Sequence, residues 1–203
     1  EIYTLSLHDA LPILVIVLLI DNNDSFTYNI VEAIRSVCSD KWQIVRSEAL
    51  DIGMLDRFSH IVISPGPMTP SDFPILSDVI CRCYDHNKPL LGVCLGHQAI
   101  GEYFGARLVQ MPSVVHGQRR RIKIDSTSLI YRGLPSVIEV GLYHSWAIDY
   151  TSLPDTLQAT GETAEQCLMS LQHKDKHIYG IQFHPESFMT PDGRRILSNF
   201  INI

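Results

Sequence analysis

The nine residues LLGVCLGHQ, positions 90–98, are the most informative stretch of this sequence for its fold. The apolar stretch Pro89–Val93 predicts a buried strand, and residues 96–104 predict a helix that follows it almost at once. Cys94 lies in the turn between them, with a glycine two positions away on either side. A sharp turn needs such residues, because they carry no side chain. A strand, a sharp turn and a helix in this order are typical of α/β proteins with a nucleophile at the end of a central strand.

The chain before this stretch alternates in the same way. The run LVIVLLI at 14–20 is apolar and β-branched throughout, as a strand covered on both faces of a parallel sheet would be. Strands followed by helices predict an α/β fold with an open, mostly parallel, twisted sheet and flanking helices. The predicted elements in this half are strands at 14–20, 42–46, 60–64 and 89–93, and helices at 25–37, 74–86 and 96–104.

The chain after Gly105 is richer in short β-like segments, which glycine, proline, serine and aspartate separate. A final helix is predicted over 191–201. Because no linker or low-complexity segment divides the chain, we expect one domain over residues 14–203 with a β-rich second half. The predicted strands there lie near 107–110, 119–124, 137–142, 156–160, 166–172 and 177–182.

The first thirteen residues are treated separately. They read EIYTLSLHDALPI, begin without methionine and resemble the translation of a sequencing-library adapter. Our hypothesis is that residues 1–13 are a non-native extension fused to the domain at 14–203, and the alternative is a genuine short extension.

Composition excludes several classes of function. The 203 residues are 45% hydrophobic and 19% charged, which is an ordinary globular balance. The net charge of -6 argues against non-specific nucleic-acid binding. The longest apolar run, Leu11 to Ile20, is shorter than the ~20 residues of a membrane-spanning helix. Five cysteines, an odd number in a chain of this size, favour a reducing compartment. We therefore expect a cytoplasmic protein with neither a nucleic-acid nor a membrane partner.

Cys94 is the candidate nucleophile. The positive end of the following helix favours the thiolate form of a cysteine placed there. The first N–H groups of that helix, beginning with Leu95, are free to donate to an oxyanion. The alternative is a buried structural cysteine in a glycine-rich turn.

A thiolate nucleophile needs a proton shuttle and a group that orients the shuttle. The segment YGIQFHPES at 179–187 supplies His184 and Glu186 just after a predicted strand. Open α/β sheets place their sites at such carboxyl ends. Taken alone, a histidine near a glutamate is usually a surface pair, but beside Cys94 the pair indicates catalysis.

The motifs together resemble the class I (triad) glutamine amidotransferases. GVCLGHQ and GIQFHPES carry the resemblance, and LIDNNDSFTYN at 19–29 narrows it to the small subunit of anthranilate synthase or aminodeoxychorismate synthase. Further support comes from SPGP at 64–67, VHG at 115–117 and YHS at 143–145. The resemblance spans residues 14–203, with all the motifs in family order.

The resemblance implies roles for named residues. Cys94 would attack the side-chain amide of glutamine, and His184, oriented by Glu186, would move the protons. Ammonia would pass to a chorismate-binding synthase component I subunit in a heteromer; that partner would use magnesium, whereas this chain would need no metal or organic cofactor. The oxyanion and glutamine would be held by Gly66, Leu95, Gln98 and the backbone of Ser145 and Trp146.

Two departures from the family pattern concern the pocket and a neighbouring loop. Met68 stands where many relatives have glycine, and its side chain is expected either to narrow the glutamine pocket or to alter the approach to Gly66. Because some aminodeoxychorismate synthase subunits also carry a residue other than glycine there, Met68 weakly favours that synthase. Gln118 replaces a lysine that commonly follows HG. The basic residues Arg119, Arg121 and Lys123 form either a solvated strand face or a docking surface.

Two other functions remain as alternatives. A stand-alone Cys-His γ-glutamyl hydrolase would hydrolyse glutamine at full rate without a partner. A non-catalytic binding subunit would tolerate loss of Cys94. Asp21 and Asp24 are interpreted as turn and helix-cap residues rather than as metal ligands.

Overall fold

The computed structural model describes residues 16–38 and 41–203, so the hypothesis about residues 1–13 lies outside the described residues. The strands are β1 (Val17–Asp21), β2 (Trp42–Arg46), β3 (His60–Ile63), β4 (Leu90–Val93), β5 (Leu108–Ile124), β6 (Val137–Ile148), β7 (Leu157–Glu162), β8 (Leu168–His173) and β9 (Ile178–Ile181). The helices are α1 (Thr27–Arg35), α2 (Ile75–Asp85), α3 (Leu95–Tyr103) and α4 (Gly193–Ile201).

The nine strands of the described residues form one sheet in the order β2-β1-β3-β4-β9-β8-β7-β5-β6. The first five strands in this order run parallel. The remaining pairings, from β9 to β6, are antiparallel. The prediction of an open α/β sheet with flanking helices and a β-rich second half is confirmed, and the sheet is mixed, since half of its pairings are antiparallel.

The helices cover both faces of the parallel half. Strand β1 shows why its sequence is apolar throughout: Val17 and Leu19 pack in one core, and Leu18 and Ile20 pack in the other. Side chains on a strand alternate between faces, so a strand between two helical layers must be apolar at every position. Helices α1 and α4 contribute to the first core, and α2 and α3 contribute to the second.

The largest difference from the prediction concerns β5. The segments predicted near 107–110 and 119–124 belong to one strand, and Val115–Gly117, interpreted as part of a loop, lies within it. The pairing of β5 with β6 shifts register twice, between Gln110 and Val115 and between His116 and Gln118. The extra residues at such bulges interrupt the alternation of side chains along β5, so its sequence has the pattern of two short strands.

The helices of the described part of the chain are short. The longest has 11 residues, and none combines the length and apolar character that crossing a membrane requires.

Candidate active site

The candidate site lies where the parallel strands end. Gly66 follows β3, Cys94 follows β4 and His184 follows β9. Strands β3, β4 and β9 are neighbours in the sheet, so their carboxyl ends lie side by side. Side chains far apart in sequence therefore meet at this edge, which is where open α/β sheets bind their ligands.

The backbone at Cys94 is strained. Its φ of 52° and ψ of -98° lie in a region that residues with side chains rarely adopt. The Cys94 N–H donates to the carbonyl of Ile181 (2.8 Å), and its own carbonyl accepts from the Gln98 N–H (3.1 Å). These bonds hold the turn between β9 and the first turn of α3, so the sulfur is presented at the start of the helix.

The glycine at position 92 makes this turn possible. A Cβ atom there would lie 2.3 Å from the carbonyl oxygen of Gly96. Because that oxygen belongs to the backbone of α3, it cannot move aside as a flexible side chain could. The close approach of strand and helix explains the requirement for glycine that was predicted at this position.

His184 and Glu186 form a buried pair. Nδ1 of His184 lies 2.6 Å from Oε1 of Glu186, and the exposed fractions of the two side chains are 4% and 1%. The turn that carries them is tied to β6: the Thr190 hydroxyl donates to the His184 carbonyl (2.7 Å) and accepts from the Gly141 N–H (2.9 Å). The pair is therefore held by the sheet.

The surroundings of His184 favour its protonated form. Burial alone would lower the pKa of His184, but hydrogen bonding and charge from Cys94 and Glu186 together raise it well above its usual value. Nδ1 is directed at Glu186, so the other ring nitrogen, Nε2, is the one left to serve the sulfur; it is buried and has no hydrogen-bond partner among the described residues. The candidate nucleophile, the proton carrier and the orienting carboxylate are thus neighbours in space in that order, as catalysis by cysteine requires.

A cleft of about 230 Å³ opens beside Cys94, and we call it the Cys94 cleft. A Cβ on Gly66 would lie 2.5 Å from Cδ2 of Leu95, so the Leu95 side chain packs closely against the Gly66 backbone. Met68 also lines the cleft; its φ of 64° is in the region that favours glycine, which is the residue that the resemblance leads us to expect at this position. Predicted residues that line the cleft are Gly66, Cys94, Gln98, Ser145 and Trp146.

The predicted pocket residues differ in what they have free to bind a ligand. Nε2 of Gln98 donates to the Trp146 carbonyl (2.9 Å) and to Oε1 of Gln182 (3.1 Å), so both of its N–H groups are used and Oε1 remains. The register of β5 and β6 passes from Gln110–Trp146 to Val115–His144, so Ser145 has no partner in that ladder. The Ser145 backbone is therefore out of register with β5 at the place where it lines the cleft.

Three residues of the site had no predicted role. Nε2 of Gln182 lies 3.5 Å from the Cys94 sulfur. The Tyr143 ring packs against His184, with centroids 5.0 Å apart, and Phe26 packs against both rings. All three lie within quoted motifs, so their place in those motifs was the available signal; their contacts depend on the fold.

The carboxylates of Asp21 and Asp24 hold the turn that follows β1, as predicted, but the predicted helix-cap role is wrong, because the N-cap of α1 is Phe26 and no side chain caps the helix. Asp21 accepts from the Asn23 N–H (3.0 Å) and the Thr27 hydroxyl (2.8 Å), and Asp24 accepts from the Phe26 N–H (2.7 Å). Within residues 16–38 and 41–203, no cluster of three histidine, cysteine or acidic side chains is arranged to hold a metal ion.

Comparisons with known proteins agree on one family. The model of the class-I glutamine amidotransferases matches residues 18–203. Anthranilate synthase component II of Haloarcula marismortui is 40% identical, over 91% of this chain and 96% of its own. Aminodeoxychorismate synthase component 2 of Escherichia coli is 38% identical, over 92% of this chain and 99% of its own. The crystal structure of a Thermoplasma acidophilum protein ascribed to GMP synthase superposes with a TM-score of 0.83 at 31% identity, over 93% of each chain.

Proposed function

Because the chain belongs to the class-I glutamine amidotransferase family, we propose that it is the glutaminase component of a two-component synthase that aminates chorismate. The observation that carries the proposal is the strained Cys94 turn, which lines the Cys94 cleft, together with the buried His184–Glu186 pair, which lines a neighbouring cleft that shares Tyr143 with it. The components named among its relatives favour this function over a stand-alone γ-glutamyl hydrolase.

In the first step, the Cys94 thiolate attacks the side-chain carbonyl of glutamine and forms a carbon–sulfur bond. The negative charge that develops on the oxygen is stabilised by the N–H groups of Leu95 and Gly66. The carbon–nitrogen bond then breaks, and His184 transfers its proton to the leaving nitrogen. Ammonia departs and a γ-glutamyl thioester remains on Cys94.

In the second step, water hydrolyses the thioester. His184, now neutral, removes a proton from the water, and the oxygen attacks the thioester carbonyl. The carbon–sulfur bond breaks, the new carboxyl group loses its proton to solvent as glutamate leaves, and the thiolate and the protonated imidazole are restored. Glu186 stabilises the charge on His184 and keeps Nδ1 protonated in both steps. The thiolate, imidazole and amide groups suffice for both steps, so we propose no metal or organic cofactor for this chain.

Delivery to a docked partner has a chemical reason. Ammonia released into neutral water becomes ammonium, which has no lone pair for attack on chorismate.

Three exposed apolar side chains near the site support docking of a partner. Met68 (64% exposed) and Val114 (65%) line the Cys94 cleft, and Phe188 (80%) lines a second cleft of about 530 Å³. We call these three residues the apolar rim. Tyr143 and His184 line the second cleft, so the rim lies around the proposed chemistry.

The free thiols of the chain bear on its cellular compartment. The proposed nucleophile is a free thiol, and the four other cysteines, Cys38, Cys81, Cys83 and Cys167, are free as well. Thiols persist in reducing compartments, and we therefore propose a cytoplasmic location.

Reconstitution tests the proposed function. The purified chain is mixed with each candidate component I from the same genome, glutamine and chorismate are supplied, and the product is identified by mass and fluorescence. We expect anthranilate or aminodeoxychorismate with one of the partners, and the product identifies the synthase. Glutamine hydrolysis without amination by any partner would contradict the two-component function and leave a hydrolase.

The apolar rim provides a test of docking. Phe188→Asp places a charge on the apolar rim, and we expect the affinity for component I to fall by about 30-fold or more, as for a hot-spot residue. Binding is measured by titration of labelled chain with component I. Tyr28→Asp is the matched control, since Tyr28 is 74% exposed and lines neither cleft. Equal affinities for the two variants would show that Phe188 lies outside the interface.

A further inference from the structure

Gln182 lies next to the candidate nucleophile and has no role in the steps above. Its side chain is completely buried, two residues before His184. Nε2 of Gln182 lies 3.5 Å from the Cys94 sulfur, and Oε1 accepts a hydrogen bond from Nε2 of Gln98 (3.1 Å). Both ends of the amide group therefore have partners, and one partner is the reactive atom.

The orientation of this amide follows from its neighbours. The Trp146 carbonyl oxygen can only accept, so the Gln98 atom 2.9 Å from it is the amide nitrogen. The same nitrogen donates to Gln182, so an oxygen of Gln182 must face Gln98. The other end of the Gln182 amide, which faces the sulfur, is then the nitrogen. The Trp146 carbonyl on β6 thus orients the Gln98 amide, and the Gln98 amide orients the Gln182 amide so that its N–H donor faces Cys94.

The backbone of Gln182 is fixed as well. Its N–H donates to the Met169 carbonyl (2.8 Å) on β8, and the Cys94 N–H donates to the adjacent Ile181 carbonyl (2.8 Å). The Gln182 amide and the Cys94 sulfur are therefore both anchored through the backbone at the end of β9. Their separation does not depend on a loop.

A buried N–H at this place affects the two forms of the sulfur differently. A hydrogen bond to a charged acceptor is stronger than one to a neutral acceptor, so the donor stabilises the thiolate more than the thiol. It also restricts the directions that the sulfur can take. Both effects favour attack on a substrate amide in the Cys94 cleft.

We propose that Gln182 is a positioning residue for the nucleophile: its side-chain amide donates to the Cys94 sulfur, holds it as the thiolate and directs it towards the cleft, while Gln98 holds Gln182 in that orientation. The inference rests on the proposed function in one respect, which is that Cys94 is the nucleophile. A glutamine that only filled space and satisfied its own hydrogen bonds would contribute to stability alone.

The test measures how fast iodoacetamide alkylates Cys94 as a function of pH. Full-length chain is used, and mass spectrometry of the peptide that contains Cys94 separates its reaction from that of the other cysteines. Gln182→Met removes the donor and keeps a side chain of similar size. Gln182→Glu keeps an acceptor for Gln98 but places an oxygen beside the sulfur. Gln172→Met is the matched control: Gln172 is a hydrogen-bonded glutamine on β8, bonded to Ser128 and Gln158.

We expect the midpoint of the alkylation profile to move upward by about one to two pH units in Gln182→Met, since a hydrogen bond to a charged group of ~1.5–3 kcal/mol is lost. In the reconstituted synthase, kcat for glutamine should fall by about 10- to 100-fold for the same reason, with KM within about threefold. Gln182→Glu should shift the profile further, because a carboxylate repels the thiolate. Gln172→Met should keep the profile of the unaltered chain.

Two results would overturn the inference. The first is an unchanged alkylation profile in Gln182→Met, whether or not its thermal stability falls, since that is the behaviour of a purely structural glutamine. The second is an equal shift in Gln172→Met, which would assign the effect to general loosening of the sheet. If Cys94 of the unaltered chain reacted like an ordinary exposed thiol, the proposed function itself would fail, and this outcome is distinguishable from the other two.

Discussion

Replacing Cys94 by alanine abolishes glutamine-dependent amination in the reconstituted synthase and leaves amination with added ammonium salt unchanged. The expected loss with glutamine is at least about 10⁴-fold, as for removal of a nucleophile that acts as one unit with its base. The loss is large because no other thiol lies at the start of α3 beside His184. Ammonia supplied from solution bypasses this step, so the partner's own reaction continues.

The measurement compares initial rates of product formation with glutamine and with ammonium salt, for each variant at saturating component I. Cys83→Ala is the matched control, since Cys83 is also buried, on α2 in the core on the other side of the sheet, and its loss leaves both rates near those of the unaltered chain. Loss of both rates in Cys94→Ala would make Cys94 a structural residue. Retention of both would leave a binding subunit without catalysis.

Replacing Gly193 by alanine destabilises the protein and slows the reaction, although alanine in a helix is normally more stabilising than glycine. Gly193 begins α4, where the exchange would be expected to add up to about 1 kcal/mol. A Cβ at this position would lie 1.8 Å from the carbonyl oxygen of Pro185 and 2.6 Å from its carbon. Both atoms are backbone, so either α4 or the turn that carries His184 and Glu186 must move.

Overpacking of this kind costs about 3 kcal/mol or more. A loss of that size lowers Tm by about 6–12 °C in a chain of this length. Below the lowered Tm, kcat for glutamine should fall by about 10²-fold, because Pro185 connects the two residues of the pair and a shift of one ångström at a catalytic group has an effect of that order.

Thermal unfolding and glutamine kinetics at a temperature where both proteins are folded separate the two effects. Gly53→Ala is the matched control, since a Cβ there would lie no closer than 3.4 Å to a neighbouring atom. A Gly193→Ala variant with unchanged or raised Tm would mean that α4 and the turn after β9 pack less closely than the structure shows.

Some of these features could be predicted from the sequence because they depend on neighbours along the chain. The strand at 42–46 matches β2 residue for residue, and the helices at 74–86 and 96–104 match α2 and α3 within two residues. Cys94, His184 and Glu186 were identified for the same reason, since each lies in a short motif just after a strand. Their catalytic roles remain predictions that the Cys94 and Gln182 variants test.

Other features depend on contacts between distant parts of the chain. The single long strand β5 was predicted as two because bulges break its alternation, and only pairing with β6 shows that it continues. Gln182 was quoted within a motif, but its hydrogen bond to Cys94 joins residues 88 positions apart.

Local sequence was enough to specify the α/β alternation, the glycine-flanked turn at Cys94 and the identity of the three candidate catalytic residues. The first two follow from side-chain periodicity and from backbone preferences, which act over a few residues, and the third follows from the chemistry of cysteine, histidine and glutamate in motifs that resemble those of a known family. The three-dimensional arrangement was needed to show that Gln182 donates to the sulfur, that Ser145 is left unpaired and that Gly193 must approach Pro185. The reason is that hydrogen bonds and close contacts of this kind form between strands and helices brought together by the order of the sheet, and local preferences do not specify that order.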